Sequence, residues 1–149
     1  MASEIKTNIA DAVKDAMRAK DKQRLGILRM LMSEFKRVEV DERIDLDDAR
    51  VLAILDKQLK QRKDSANQYQ EAGRTDLADQ ENFEIGVIQE YLPQALSADE
   101  INKLIRDAIA QTGAEGMRDM GKVMAIVKPQ VQGRADMGEV SQLVKSNLN

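Results

Sequence analysis

The stretch that decides the fold is residues 25–38, LGILRMLMSEFKRV. Its apolar side chains recur at intervals of three or four residues: Leu25, Leu28, Leu31, Met32, Phe35 and Val38. This spacing puts them on one face of an α-helix, and it does not fit the strict alternation of a half-buried strand. The sequence therefore predicts an amphipathic helix here, begun by Asp21 as its N-cap.

Comparable stripes occupy the rest of the N-terminal region. A first helix is expected after the Ser3 cap, with an apolar stripe at four-residue steps: Ile5, Ile9, Val13 and Met17. Residues 41–45 suggest a connector, and Asp45 or Asp47 then begins a third helix. Its later part, residues 60–68, is polar on nearly every face, but the helix meets no Gly or Pro until Gly73, which we expect to be its C-cap. A fourth helix is predicted from a Thr75 cap to about Tyr91.

Three shorter helices are predicted in the C-terminal region. Ser97 and Glu100 form a capping box that begins the fifth helix, and Gly113 ends it. An apolar stripe over residues 120–127 predicts the sixth, which Pro129 either ends or kinks. Asp136 and Glu139 form a second capping pair for the last helix. The expected fold is all-α, with an N-terminal domain of about four helices over residues 1–92, a hinge at 93–96 and a small three-helix domain over 97–149.

Composition excludes several classes of chemistry. The chain has no cysteine and no histidine, so it has neither the commonest general base nor the commonest ligands of a zinc site. Its net charge is −3, which is not that of a globally basic nucleic-acid binder. No stretch approaches the roughly 20 apolar residues that a membrane span needs, and the N-terminus lacks an apolar signal core. We therefore expect a cytoplasmic protein that makes no membrane contact.

A cluster of basic residues lies in the polar half of the third helix. It consists of Lys57, Lys60, Arg62 and Lys63. Lysines three residues apart share one drifting helix face, which is suited to holding phosphates without reading sequence. The alternative is an ordinary solvated helix face, with Asp56 and Asp64 as local partners.

A second cluster surrounds the sixth helix. Lys122, Lys128 and Arg134 are expected along one side of the small C-terminal domain. Gly121 would allow a backbone or ligand to approach closely, and Gly133, just before a capped helix, would expose backbone N–H groups to an anion. The alternative is a plain joint between two helices with a glycine cap.

Other residue types favour structural roles. Most carboxylates stand at helix starts, where they complement the helix dipole, so we expect no catalytic residue, no metal site and no cofactor. The methionines of the C-terminal region are 117, 120, 124 and 137. They suggest either gap-filling in a core poor in aromatics or an adaptable surface for a protein partner.

The order of several short segments resembles the YqeY family. The segments are Leu28-Arg29-Met30-Leu31, residues 57–65 (KQLKQRKDS), residues 72–78 (AGRTDLA), Glu81, Glu84, Tyr91-Leu92-Pro93, residues 120–124 (MGKVM) and Gly133-Arg134-Ala135-Asp136. Together they cover nearly the whole chain.

This resemblance implies an all-α architecture in two parts and kinship with the tail of GatB, a component of the tRNA-dependent amidotransferase. In that family the tail contacts tRNA, while amide transfer and glutamine hydrolysis take place elsewhere. Residues 121, 122, 133 and 134 would carry the tRNA-facing features. The family label of carbon–nitrogen ligase with glutamine as amide donor would then reflect kinship, and we expect no such activity from this chain alone. The expected partner is tRNA, or alternatively an amidotransferase or another ligase that the chain serves as an accessory subunit.

Overall fold

The computed structural model describes residues 2–149, and this range is mainly α-helical, with no strand. The described residues form seven α-helices: α1 (Glu4–Ala19), α2 (Lys22–Glu42), α3 (Asp48–Glu71), α4 (Thr75–Gln89), α5 (Ala98–Thr112), α6 (Met120–Val131) and α7 (Met137–Leu148). A single 3-10 turn at Met117–Asp119 precedes α6. The prediction of an all-α fold is confirmed.

The chain divides into two compact units, the first ending at Leu92 and the second running from Pro93 to Asn149. Each has an aliphatic core of its own. The first core comes from α1 to α4 and includes Leu28, Leu31, Phe35, Val51 and Ile88, all fully buried. Whether residues 93–96 act as a hinge stays a prediction.

Short polar side chains begin the first three helices. The Ser3 hydroxyl accepts a hydrogen bond from the Lys6 backbone N–H, and Asp21 and Asp47 do the same for α2 and α3. Each occupies one of the N–H groups that a helix start leaves without an intrahelical partner. Asp47, and not Asp45, is therefore the cap of α3. The connector predicted at 41–45 is displaced, because α2 continues to Glu42 and ends at Arg43 in the left-handed region (φ 56°). The observed connector is residues 43–47, and Leu46 within it is buried, which the sequence pattern did not indicate.

The α1 stripe turns away from the core at its C-terminal end. Ile9 is fully buried, whereas Met17 is 51% exposed and Ala16 takes the buried place. Steps of four residues advance 400° around a helix, so each step drifts about 40° and three steps carry Met17 about 120° off the face that Ile5 begins. The inward position predicted for Met17 is wrong for this reason.

Helices α3 and α4 form an antiparallel pair joined by a tight turn at Gly73. The Arg74 N–H donates to Tyr69 O (2.8 Å) and the Gly73 N–H to Gln70 O (3.2 Å), while Gly73 has φ +73°. These two bonds define a Schellman motif, so Gly73 ends α3 as predicted. Thr75, predicted to cap α4, is instead its first residue, because the turn brings Arg74 into the cap position, where it makes no side-chain capping bond.

The second unit consists of α5, α6 and α7 around a small core rich in valine. Ser97 and Glu100 make both bonds of the predicted capping box, and Gly113 ends α5 at φ +70°. Pro129 does not end α6, which continues to Val131. Gly133 (φ +75°) turns the chain into α7, where Asp136 caps by accepting from the Gly138 N–H.

Substitution by alanine should change the free energy of unfolding in opposite directions at Gly73 and Gly86. Gly73→Ala places a Cβ in the left-handed region and should lower the free energy of unfolding of the first unit by about 1 kcal/mol. Gly86→Ala, in the middle of α4 with nothing within 4 Å of the added Cβ, should raise it by roughly 0.5–1 kcal/mol.

Urea unfolding followed by tyrosine fluorescence measures both changes, because the two tyrosines, Tyr69 and Tyr91, lie in the first unit. Equal effects of the two substitutions would contradict the turn geometry.

Candidate nucleic-acid interface

The outward face of α6 combines cations with small residues. Lys122 and Lys128 are exposed, and so are Gly121 and Ala125, which lie between them on the helix surface. The Lys122 side chain is 72% exposed, and its Nζ lies 3.8 Å from Asp119 Oδ1 in a surface ion pair. Nothing lies within 4 Å of a Cβ built on Gly121. Lys122 and Lys128 are six residues apart and therefore about 120° apart around the helix, so they flank an outward surface on which Gly121 and Ala125 leave room for a polymer backbone.

Charge is distributed unevenly within the second unit. Residues 117–135 contain four basic side chains, at positions 118, 122, 128 and 134, against the single acid Asp119. The other acids of this unit stand mainly at the first turns of α5 and α7. The Asp119 carboxylate accepts a backbone hydrogen bond from Glu115 N (3.0 Å), which is the main reason that its pKa is lowered. The α6 segment is thus locally cationic in a chain that is acidic overall.

Gly133 and Arg134 have structural roles in the joint before α7. Gly133 is buried, so it presents no surface to a ligand. The Arg134 carbonyl accepts from the Leu96 N–H (2.9 Å), and its Nε donates to Gln94 O (3.1 Å). The joint therefore holds the segment that leads into α5. Arg134 remains half-buried at the edge of the unit, whereas Lys122 and Lys128 are exposed.

The structure divides the basic cluster of α3. Lys57, Lys60 and Lys63 are exposed, but Arg62 faces α4 and its side chain is only 14% exposed. Its Nε donates to Glu84 Oε2 at 2.9 Å, and its Nη1 donates to Gln58 Oε1 at 2.7 Å. Arg62 is thus occupied within the first unit, while the three lysines remain on its surface.

Sequence reasoning missed the polar network around Arg62. Gln58 is buried (8% exposed), and the Arg62 Nη2 also lies 3.7 Å from the sulfur of Met30 on α2. The available signal was the four-residue separation of Gln58 and Arg62, which places them on one helix face. Glu81 lies beside this network, and its pKa is raised by burial and by the nearby Glu84 carboxylate, with the Arg62 charge acting in the opposite direction.

The C-terminal methionines act mainly as packing. Met120, Met124 and Met137 are partly buried against the second core, whereas Met117 is 41% exposed. Within residues 2–149 there is no group of three or more His, Cys, Asp or Glu side chains placed to hold a metal ion. In the same range, no helix has the length and apolarity required to cross a membrane.

The helices, caps and two separate cores define a small all-α protein built from two units. Residues 6–148 match the family described as Yqey-like protein, and the chain belongs to this YqeY family. The family resemblance of the short sequence segments is thereby confirmed.

Three fungal proteins are similar in sequence to this chain. The chain is 32% identical over 116 residues to the Altered inheritance of mitochondria protein 41, mitochondrial, of Vanderwaltozyma polyspora, covering 72% of this chain and 62% of the relative. It is 37% identical over 94 residues to the protein of the same name from Lachancea thermotolerans, covering 62% and 50%. An uncharacterised protein of Schizosaccharomyces pombe is 30% identical over 83 residues, covering 56% and 68%. The chain thus spans between half and two thirds of the length of the first two relatives.

The Arg62–Glu84 pair should show strong energetic coupling. Arg62→Met leaves Glu84 largely buried without its cation and should lower the free energy of unfolding by about 1–3 kcal/mol. Adding Glu84→Gln should recover part of that loss, since a pair removed together leaves no isolated buried charge. A double-mutant cycle by urea unfolding measures the coupling. Additivity of the two changes within about 0.5 kcal/mol would rule out an energetically significant pair.

Glu81 should make the stability of the first unit depend on pH. A raised pKa in the folded state means that folding favours the protonated carboxyl. Protonated Glu81 therefore contributes to the free energy of unfolding at low pH, and this contribution is lost as pH rises from the ordinary glutamate range through the raised pKa. Glu81→Gln should leave stability unchanged at low pH and increase it relative to wild type at neutral pH. The measurement is the difference in urea midpoint between variant and wild type from about pH 4 to pH 7. A difference independent of pH would show that the pKa of Glu81 is not raised in the folded protein.

Proposed function

We propose that the protein is a tRNA-associated binding module, related to the tail of GatB from the tRNA-dependent amidotransferase, with no chemistry of its own. Its second unit would hold RNA phosphates on the outward face of α6, through Lys122 and Lys128. The observation that carries this proposal is the local charge of residues 117–135, four basic side chains against one acid, on a helix face kept open by Gly121. Kinship with that tail is itself part of the proposal.

The chemistry of this face suits positioning rather than sequence readout. Lysine is a point charge on a flexible stem, and it pairs with a phosphate in many orientations. Contacts of this kind fix a nucleic acid in place but carry no base information. The half-buried Arg134 would supply at most an edge contact, because its Nε is already bonded to Gln94. Exposed Lys57, Lys60 and Lys63 would form a separate phosphate contact on the first unit, without the enclosed Arg62.

The absence of histidine and cysteine from the sequence supports a binding role over a catalytic one. The alternative function is that of an accessory subunit that docks an amidotransferase or another ligase through its methionines. Packing of Met120, Met124 and Met137 against the core leaves less apolar surface for such docking than the sequence suggested. The names of the relatives specify mitochondria and neither RNA nor a reaction. Our prediction of a cytoplasmic location therefore has the mitochondrion as its alternative.

Titration of the protein with deacylated tRNA tests the proposal, with duplex DNA of matched length for comparison. We expect tRNA to bind more tightly than the DNA, with an affinity that falls with salt at a log–log slope of roughly −3, as three phosphate contacts would give. Lys122→Gln with Lys128→Gln should reduce this slope by about 2, roughly 1 for each lost contact.

The matched control is Lys103→Gln with Lys145→Gln, which removes the same charge from exposed positions on α5 and α7. Equal losses in the two double variants would indicate non-specific electrostatics. No tRNA binding, together with co-purification of a ligase that the wild-type chain retains, would favour the accessory subunit instead.

A further inference from the structure

A row of cations extends along the exposed face of α2, on the first unit. It consists of Lys22, Arg29 and Lys36, and we call it the α2 row. Its members are seven residues apart, so they recur about every 10.5 Å along the helix axis and drift only about 20° per step. All three are exposed, and so are Gly26, Ser33 and Val40, which lie on the same face. Arg43, just beyond the helix end, is exposed as well.

The acids of α2 do not neutralise this row, because each is paired with a cation elsewhere. Glu34 and Asp41 both pair with Arg37, which lies on the flank of the helix. Glu39 pairs with Lys6 of α1 at 2.8 Å, and Glu42 pairs with Arg50 of α3. Among the ion pairs within residues 2–149, none includes Lys22, Arg29 or Lys36. The row therefore presents three cations that have no ion-pair partner among the described residues.

The residues between the cations indicate the class of partner. Helices that bind membranes insert bulky apolar side chains, and protein interfaces centre on buried aromatic or aliphatic anchors. This face offers Gly26, Ser33 and a single valine, so it lacks both kinds of anchor. A nucleic-acid backbone needs neither, because its phosphates supply dense negative charge along a line. Gly26 has open space around it and allows that backbone to lie close to the helix.

We infer that the α2 row binds the phosphate backbone of an RNA, as a contact separate from the outward face of α6. The inference extends the proposed RNA binding to a second surface, and it depends on that function only for the identity of the polyanion. The row has no Asn, Gln or aromatic side chain between its cations on this face, so its binding would be independent of sequence.

The test compares two triple variants of the full chain for binding to deacylated tRNA across a range of salt concentrations. The row variant combines Lys22→Gln, Arg29→Gln and Lys36→Gln, and it removes all three cations of the α2 row. The control variant combines Lys103→Gln, Arg106→Gln and Lys145→Gln, and it removes the same charge from exposed positions of the second unit. Glutamine has a helix propensity similar to that of lysine, so both variants should fold, which circular dichroism checks. If both surfaces contact the same tRNA, the wild-type slope is steeper than the roughly −3 expected from the α6 face alone, by about 1 for each cation of the row. We expect the row variant to lose this additional slope and the control to leave the slope nearly unchanged.

An equal change in both triple variants, or none in the row variant, would overturn the inference. Anionic vesicles and an acidic helical peptide are the competing ligands: loss of binding to either in the row variant, with tRNA binding intact, would also overturn it. The Lys122/Lys128 variant separates the two proposals. If only the Lys122/Lys128 variant loses tRNA binding, the proposed α6 site stands and the inference about the α2 row fails. If only the row variant loses tRNA binding, the α2 row stands and the α6 site fails. If wild type binds no tRNA, both fail.

Discussion

Burial of an aliphatic face by every helix is the constraint on which the rest of this structure depends. The chain has four aromatic residues, and Phe35 alone among them is fully buried. The second core contains no aromatic residue, and five of its members are fully buried valines, at positions 123, 127, 131, 140 and 144. A β-branched side chain in a helix has one strongly preferred rotamer, so it loses little further freedom on packing. The second unit is small, running only from Pro93 to Asn149, and this property helps it to keep a defined core.

The α3–α4 pair extends beyond the aliphatic core of the first unit. Its outer part is closed by Ala66 and Ala78, which are buried but lie outside the first core. Between this part and the core lies the Arg62–Glu84 pair, both side chains mostly enclosed. A planar guanidinium that bonds Glu84 and Gln58 at once tolerates little sliding of one helix along the other. Gln58 is on α3 with Arg62, so the bond from Arg62 Nε to Glu84 is the one of the two that joins α3 to α4, and it favours one register of the helices where small alanine side chains alone would specify it weakly.

Much of the fold could be predicted because capping and periodicity are local. Ser3, Asp21, Ser97, Gly73 and Gly113 act where the sequence places them, since each satisfies backbone groups within a few residues of itself. The outward position of Met17 follows from the fixed drift of four-residue steps and was predictable, whereas the connector after α2 was not, because a left-handed Arg43 depends on the packing of the whole helix. The candidate site was less predictable still. Arg62 is indistinguishable from Lys60 and Lys63 in a polar run, and only the position of α4 shows that it faces inward.

The net charge of the chain conceals how its charges are arranged. Acids serve helix starts, as Asp21, Asp47 and Asp136 do, or they join ion pairs across helices, as Glu39 and Glu84 do. Both uses bring negative charge close to backbone N–H groups or to cations, where it is locally compensated. Lysines on the outward faces of α2 and α6 receive no such partners beyond the long contact of Lys122. Since screening in physiological salt limits exposed charges to a range of about 8 Å, a polyanion at these faces meets the local rows and not the overall −3. An acidic protein can in this way present surfaces suited to phosphate.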